Sequence, residues 1–451
     1  MVGVALSRWT MSYFAAALTS LIVAEGLMAA GFGYPAASIA APETLILVHI
    51  VTIGWLSLLM CGALFQFVPV LIARPLYSNM LPLPTLGLLL AGLLALLLGF
   101  LQMAGTVPPH AGYFAGAAIL LAAGFGLALW NLGRTLWATR PLPLPARFVV
   151  VGLCCLGVTV FLGIVFALVL GGIATSSHLL DATTFGLPIH VIAGLGGWLT
   201  FSAVGVSYRL LAMFMLAPEL DGPTTRGTFY CGTAALAVAI IGGIAAICTS
   251  GSVTMMVSAA GVLGLLGIAL YGRDMLHLYR ARKRRTIELN SRMAGVAFAN
   301  LAAILVISIG LLVAGNFSQH VGIVVFLVSF GWLSSLALAK LYKIVAFLTW
   351  LECYGPVLGK TATPRVQDLV VERRANKWFV LYTAAVWCAA AGLALDAPPA
   401  FRLSAAVMLL ATCGIVRQLL RTRRLANVQP TLRLPKGVRP PHLLYCWVQQ
   451  P

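Results

Sequence analysis

Long apolar runs alternate with short polar loops along the whole chain. A transmembrane helix needs about 20 apolar residues, and twelve runs of that size can be marked off between the loops. They are residues 11–33, 44–73, 83–105, 111–137, 147–173, 186–217, 228–249, 252–279, 294–316, 320–351, 378–395 and 400–420. The pattern predicts an all-α, polytopic membrane protein. Residues 1–451 would form a single transmembrane domain that ends in a basic tail at 422–451.

Three of the predicted spans share a motif. The segments that begin at Gly54, Gly197 and Gly331 all read Gly-Trp-Leu-Ser/Thr. A small residue follows eight positions after each glycine, an aromatic residue at eleven and a long polar or basic residue at twelve. The offsets agree without a gap, and the motif falls on the second span of each group of four, so it indicates an internal threefold repeat. The repeat units are roughly 10–140, 146–285 and 290–421, which predicts three pseudo-threefold-related four-helix arcs.

The small residues of the motif are Gly62, Gly205 and Ala339. We interpret them as contacts that bring spans 2, 6 and 10 close together. The basic residues at position twelve, Arg209 and Lys343, would reach the membrane boundary and act as anchors.

Composition and charge fit this architecture. The chain is 61% hydrophobic and only 9% charged, more apolar than a soluble domain could bury. Its net charge of +18 comes from basic residues that collect in the loops after spans 4, 8 and 10 and in the tail. In the tail they are Arg421, Arg423, Arg424, Arg433, Lys436 and Arg439. Positive charge on one side predicts that both termini are cytoplasmic in the inner (plasma) membrane, with the tail against anionic headgroups. Nucleic-acid binding is not expected.

In this orientation five of the seven histidines lie at or near the outer face. An imidazole within lipid is costly unless it binds a metal, a haem iron or a hydrogen-bond partner. His49 and His190, a turn or two inside spans 2 and 6, and His320, which opens span 10, are therefore candidate ligands. At about 100° per residue, His190 and His320 share a stripe relative to the motif glycine, whereas His49 points elsewhere unless its helix is distorted. The alternative is that these histidines lie at the interface in contact with lipid headgroups, as expected for His110 and His178.

One carboxylate, Glu25, is predicted to lie deep within a span. A carboxylate in that position suggests a proton carrier or a partner for a cation. A protonated, hydrogen-bonded structural residue is the alternative.

The chain resembles subunit I of the haem-copper oxidases, especially the cbb3 type. The resemblance rests on twelve helices, three arcs and outer histidines on the second helix of an arc, and on the segment LVHIVTIGWLSLLMCGALFQFVPVL. It implies that His49 is an axial haem ligand and that His190 matches the first copper ligand of helix 6. Haem is the implied cofactor, with copper as a second candidate.

The chain also departs from this family. The family has a His-His pair on helix 7 and a His-x-His on helix 10, and the matching segments here have neither. Gly194 replaces the tyrosine that follows the helix-6 histidine. A dioxygen-reducing centre therefore cannot be assembled. The chain is similar in kind to the haem- and copper-containing membrane proteins linked to the nitric-oxide response.

The first hypothesis is thus a haem-binding membrane protein of respiratory or nitrogen-oxide metabolism, in which any activity is of the oxidoreductase type. Cytochrome c or other redox or membrane subunits would be its partners, beside the lipid bilayer. A transporter or export factor is the second hypothesis, although a threefold repeat differs from the paired inverted repeats of transporters. A cofactor-free membrane anchor subunit is the third.

Overall fold

The computed structural model describes residues 9–249, 251–435, 438 and 440–444, and the described chain is built of helices. Twelve helices in this part of the chain are long and apolar enough to cross a membrane. They are α1 (Thr10–Ala30), α2 (Pro42–Ile72), α3 (Pro82–Met103), α4 (Gly112–Trp137), α5 (Leu144–Leu170), α6 (Ser177–Met215), α7 (Pro223–Cys248), α8 (Val253–Arg280), α9 (Leu289–Val313), α10 (Phe317–Val357), α11 (Glu372–Ala394) and α12 (Pro398–Arg423). This confirms the prediction of an all-α, multi-pass membrane protein, whose apolar helices would contact lipid.

Local sequence explains where several helices begin and end. Proline is the first residue of α2, α3, α7 and α12, where its missing N–H is harmless and its fixed φ suits a helix. α1 ends at Gly31, whose φ of +83° is left-handed, as in many helix C-caps. α6 starts at Ser177, several residues before the predicted start, so that His178 lies in its first turn.

The chain forms two compact units. One comprises Met1–Gly62 with Ile287–Pro451, and the other comprises Ala63–Thr286. We call them the terminal unit and the central unit. The division into three repeat units stays a prediction.

Each copy of the repeat lies in a π-helical segment, which is the main irregularity of these helices. The segments are Ile50–Ser57 in α2, Ile192–Phe201 in α6 and Leu327–Ser334 in α10. A π-helix pairs residues five apart, is rare, and is often found at functional sites. In α10 the hydroxyls of Ser334 and Ser335 donate to the carbonyls of Ser329 and Phe330, each five residues back. These side chains therefore follow the π-helical spacing of the backbone.

The motif tryptophans Trp55, Trp198 and Trp332 are at most 1% exposed. These three side chains are therefore packing residues within the helices. Trp55 also bonds across helices, since its Nε1 donates to Ser334 Oγ over 2.8 Å. The motif thus supplies both the bulk and a polar contact at the centre of the terminal unit.

The tail packs against protein in its described part. Tyr354, Leu369, Leu425 and Val428 form a small buried cluster with Cys353 at the end of α10. The Tyr354 hydroxyl donates to the Arg433 carbonyl over 2.7 Å. Arg423, predicted as a topology charge, is 3% exposed and pairs with Glu352 at 2.5 Å. Lys436 and Arg439 lie outside the described residues, and contact of the tail with headgroups stays a prediction.

Candidate functional site

His49 is the last residue before the π-helical segment of α2. Its side chain is half-buried, and Nδ1 lies 2.7 Å from the Leu45 carbonyl oxygen. A carbonyl can only accept, so Nδ1 carries the proton and Nε2 carries the lone pair. Metal-binding histidines usually donate their other ring N–H in this way, which fixes the tautomer and the ring orientation. The lone pair on His49 Nε2 is therefore suited to coordinate iron or copper.

His190 lies two residues before the π-helical segment of α6, in the central unit. Its ring centroid is 5.3 Å from that of Phe166 on α5. A Cβ placed on Gly163, one turn earlier in α5, would lie 3.5 Å from His190 Cε1. The imidazole is thus seated against α5, between a glycine and an aromatic ring.

His320 is the fourth residue of α10 and is half-buried. The position in α10 that matches His49 in the repeat is Phe326, which is 7% exposed and packs on Phe330 and Phe401. His110, His178, His277 and His442 are exposed. In the described parts of the chain, no group of three His, Cys, Asp or Glu side chains is arranged to hold a metal ion. A haem iron needs only one or two protein ligands, so the haem prediction does not depend on such a group.

The predicted direction of the three histidines relative to the motif glycine needs correction. It assumed an α-helical turn of about 100° per residue between each histidine and the motif glycine. The π-helical segments lie in that interval in every copy, and a π-helix turns less per residue. The local distortion that the sequence left open is therefore present in all three helices.

The small residues of the repeat have a different role from the one predicted. A Cβ on Gly62 would clash with Tyr13 of α1, and a Cβ on Gly205 would clash with Phe148 of α5. These glycines allow a close approach to the first helix of their own group. The nearest atoms to these two glycines therefore belong to α1 and α5, and not to the helices that the sequence had suggested.

The basic residues at position twelve form ion pairs. Arg209 pairs with Glu219 in the central unit, and Lys343 Nζ lies 2.6 Å from Glu288 Oε2 in the terminal unit. Glu288, Lys343, Tyr342 and Glu372 line a small cavity with room for about one water molecule. The interpretation as anchors at helix ends is consistent with these pairs.

Glu25 is fully buried in α1. Its Oε1 accepts a hydrogen bond of 3.0 Å from Thr412 Oγ1 of α12. Its Oε2 has no hydrogen-bond partner in the described chain. This carboxylate is therefore buried within the helices, and its depth in the membrane stays a prediction.

Asp274 in α8 corrects the prediction that only one carboxylate is deeply buried, since it is 4% exposed. Three hydroxyls donate to it, from Tyr208 at 2.8 Å, Thr224 at 2.5 Å and Thr225 at 2.9 Å. Tyr208 is the aromatic residue of the repeat motif in α6. Asp274 lies within the predicted span 252–279, and a carboxylate inside that apolar run was the signal that the sequence offered.

Two further polar groups within the helices were missed. Lys340 of α10 is 8% exposed and lies three residues deeper than Lys343. Asn300 of α9 donates through Nδ2 to the Gly331 carbonyl over 2.7 Å, and its Oδ1 accepts from Trp387 over 3.1 Å. The carbonyl of the motif glycine thus has a side-chain donor within the π-helical segment.

Comparisons with known proteins add no family. No protein-family model matches the chain, and a comparison with curated protein sequences finds no match. The functional argument therefore rests on the residues described above.

Proposed function

We propose that the protein is an integral membrane haem-binding protein, in which His49 would be a ligand of the iron. The supporting observation is the hydrogen bond from His49 Nδ1 to the Leu45 carbonyl. It fixes the tautomer that presents Nε2 as a donor atom, at the junction of an α-helical and a π-helical segment. A bound haem would supply one-electron redox chemistry or small-gas binding.

The resemblance to haem-copper oxidase subunit I supports the rest of the proposal. His320 and His190 are further candidate haem ligands, and His49 and His190 are each a candidate copper ligand if copper is bound. The fold would be that of a divergent oxidase subunit without the dioxygen-reducing centre. Its setting would be respiratory or nitrogen-oxide metabolism, with cytochrome c or other membrane subunits as redox partners.

An optical and metal analysis of the purified protein tests this proposal. We expect a Soret band and about one iron per chain in the wild type, since one axial site is assigned. His49→Ala should lose the band, because the iron loses its ligand. The exposed His277 offers a matched control, and His277→Ala should keep the band. A wild type without haem or copper, or a His49→Ala variant with an unchanged spectrum, would contradict the proposal.

The topology belongs to the same proposal. Both termini would be on the cytoplasmic side of the inner membrane, because the basic loops share one side. A reporter that works only in the cytoplasm should be active when it is fused after α12. A reporter that works only outside the cytoplasm should be active when it is fused at Asp396, between α11 and α12. The reverse pattern would refute the predicted orientation.

A further inference from the structure

Glu25 and four other buried side chains form one connected cluster in the terminal unit, and we call them the Glu25 cluster. They come from five different helices and are Glu25, Trp55, Ser334, Tyr382 and Thr412. Each is at most 1% exposed. Polar groups are costly inside a membrane protein unless they are hydrogen-bonded. Every donor and acceptor of the cluster is therefore expected to have a partner.

Two oxygens of the Glu25 cluster do not meet this expectation. Thr412 donates to Glu25 Oε1, and Trp55 donates to Ser334 Oγ, which itself donates to the Ser329 carbonyl. Glu25 Oε2 and the Tyr382 hydroxyl have no hydrogen-bond partner within the described chain. Tyr382 interacts electrostatically with Glu25, and its hydroxyl comes close to Ser334 without meeting the geometry of a hydrogen bond. Oε2 and the tyrosine oxygen are not hydrogen-bonded to each other in this structure, and a proton on Oε2 would satisfy both atoms once side-chain rotation brings them together.

No cation in the described chain forms an ion pair with Glu25. The titratable groups that face it are Tyr382 from α11 and Cys413 from α12, and α2 and α10 contribute Trp55 and Ser334. At the end of α1, Arg402 of α12 donates through Nε to the Ala29 carbonyl, one turn beyond Glu25. A buried, unpaired carboxylate is costly as an anion. The neutral acid is therefore the favoured form of this side chain.

The number of open oxygens argues against a divalent metal cation. Ca²⁺ takes about six to eight oxygen ligands, and Mg²⁺ requires octahedral coordination. The Glu25 cluster leaves two oxygen atoms without a partner. A proton needs no more than a donor oxygen and an acceptor oxygen.

From this geometry we propose that Glu25 is an exchangeable proton-binding site within the membrane-spanning helices, with Tyr382 as its positioning residue. With the proton bound, the carboxyl O–H on Oε2 donates to the Tyr382 oxygen. When the O–H bond breaks, the electron pair stays on Oε2, the proton passes to water, and the Tyr382 hydroxyl turns to donate to the carboxylate. The site is independent of the haem proposed above.

Infrared spectroscopy of the purified protein tests the proposal. A neutral carboxyl group gives a C=O band above the amide I region, and this band should move to lower frequency in D₂O as the proton exchanges. Glu25→Gln should lose the band, and Asp274→Asn, which alters a carboxylate with three donors, should keep it. Tyr382→Phe should move the band to higher frequency, because the carboxyl O–H loses its acceptor.

Two results would overturn the proposal. One is a spectrum that is the same in the wild type and in Glu25→Gln, with both variants eluting as single species in detergent. The other is a band that disappears when choline chloride is replaced by sodium chloride, since this would assign the site to a monovalent cation. A band that is unaffected by Tyr382→Phe would refute the role given to Tyr382.

Discussion

Asp274 and Glu25 are both carboxylates buried within apolar helices, yet their surroundings differ. Asp274 accepts hydrogen bonds from three hydroxyls, at both of its oxygens. Glu25 accepts one, from Thr412, and its second oxygen is left without a partner. A carboxylate that is acceptor to several donors is stabilised as an anion and fixes the helices that supply them. One with an open oxygen can gain and lose a proton. The number of hydrogen-bond donors therefore distinguishes a structural carboxylate, Asp274, from a proton-exchange site, Glu25.

Removing the Asp274 carboxylate should have the largest effect. Asp274→Leu leaves the hydroxyls of Tyr208, Thr224 and Thr225 without their acceptor, and we expect a loss of about 3–5 kcal/mol of stability. The apparent Tm in detergent measures this change. Asp221 provides the control, because it is exposed and pairs with Arg226 at 3.1 Å. The guanidinium holds the pKa of Asp221 below its usual range, but an exposed pair contributes little. Asp221→Leu should leave the Tm unchanged.

Substitutions of Tyr208 and Tyr382 should change the stability by intermediate and different amounts. Tyr208→Phe removes a hydrogen bond to Asp274 and should cost about 2 kcal/mol, as for other bonds to charged groups. Tyr382→Phe removes only the acceptor that we propose for the neutral Glu25 carboxyl group, so the loss should be smaller, at most about 1 kcal/mol. Equal losses in the two variants would contradict the contrast.

The amide substitutions should give the smallest difference. Asp274→Asn puts an NH₂ group among three hydroxyl donors, so we expect a loss of about 1–2 kcal/mol from the mismatch. Glu25→Gln keeps one oxygen for Thr412 and places the NH₂ at the open position, so the loss should be below about 1 kcal/mol. Matched unfolding curves in the same detergent measure both. The comparison fails if Glu25→Gln proves the more damaging change.

The sequence predicts the helices well because each must present an apolar run long enough to cross the bilayer, a property of composition alone. It also indicates that Glu25 lies inside a helix, where the structure finds this side chain buried. The partner of Gly62 was predicted wrongly, because the motif shows that a small residue is needed but not which helix approaches it. The structure identifies Tyr13 of α1 in that place.

Helix phase limited the prediction of the site. The π-helical segments change the direction of every side chain on one side of the motif relative to the other, and nothing in Gly-Trp-Leu-Ser/Thr announces them. Asp274 was missed because its three donors come from α6 and from the start of α7, far from it in the chain. Lys340 was missed because it lies next to the more conspicuous Lys343. Such contacts depend on the packing of helices, which periodicity does not determine.

Carbodiimide labelling compares the two carboxylates most directly, within one molecule. Dicyclohexylcarbodiimide partitions into apolar surroundings and adds to the protonated carboxyl group, so it separates a neutral acid from an anion that three hydroxyls stabilise. We predict that mass spectrometry of the labelled wild type finds the adduct on the peptide with Glu25 and none on the peptide with Asp274. Labelling of Glu25 should decrease as the pH rises. An adduct on Asp274, or no adduct on either residue, would contradict the account.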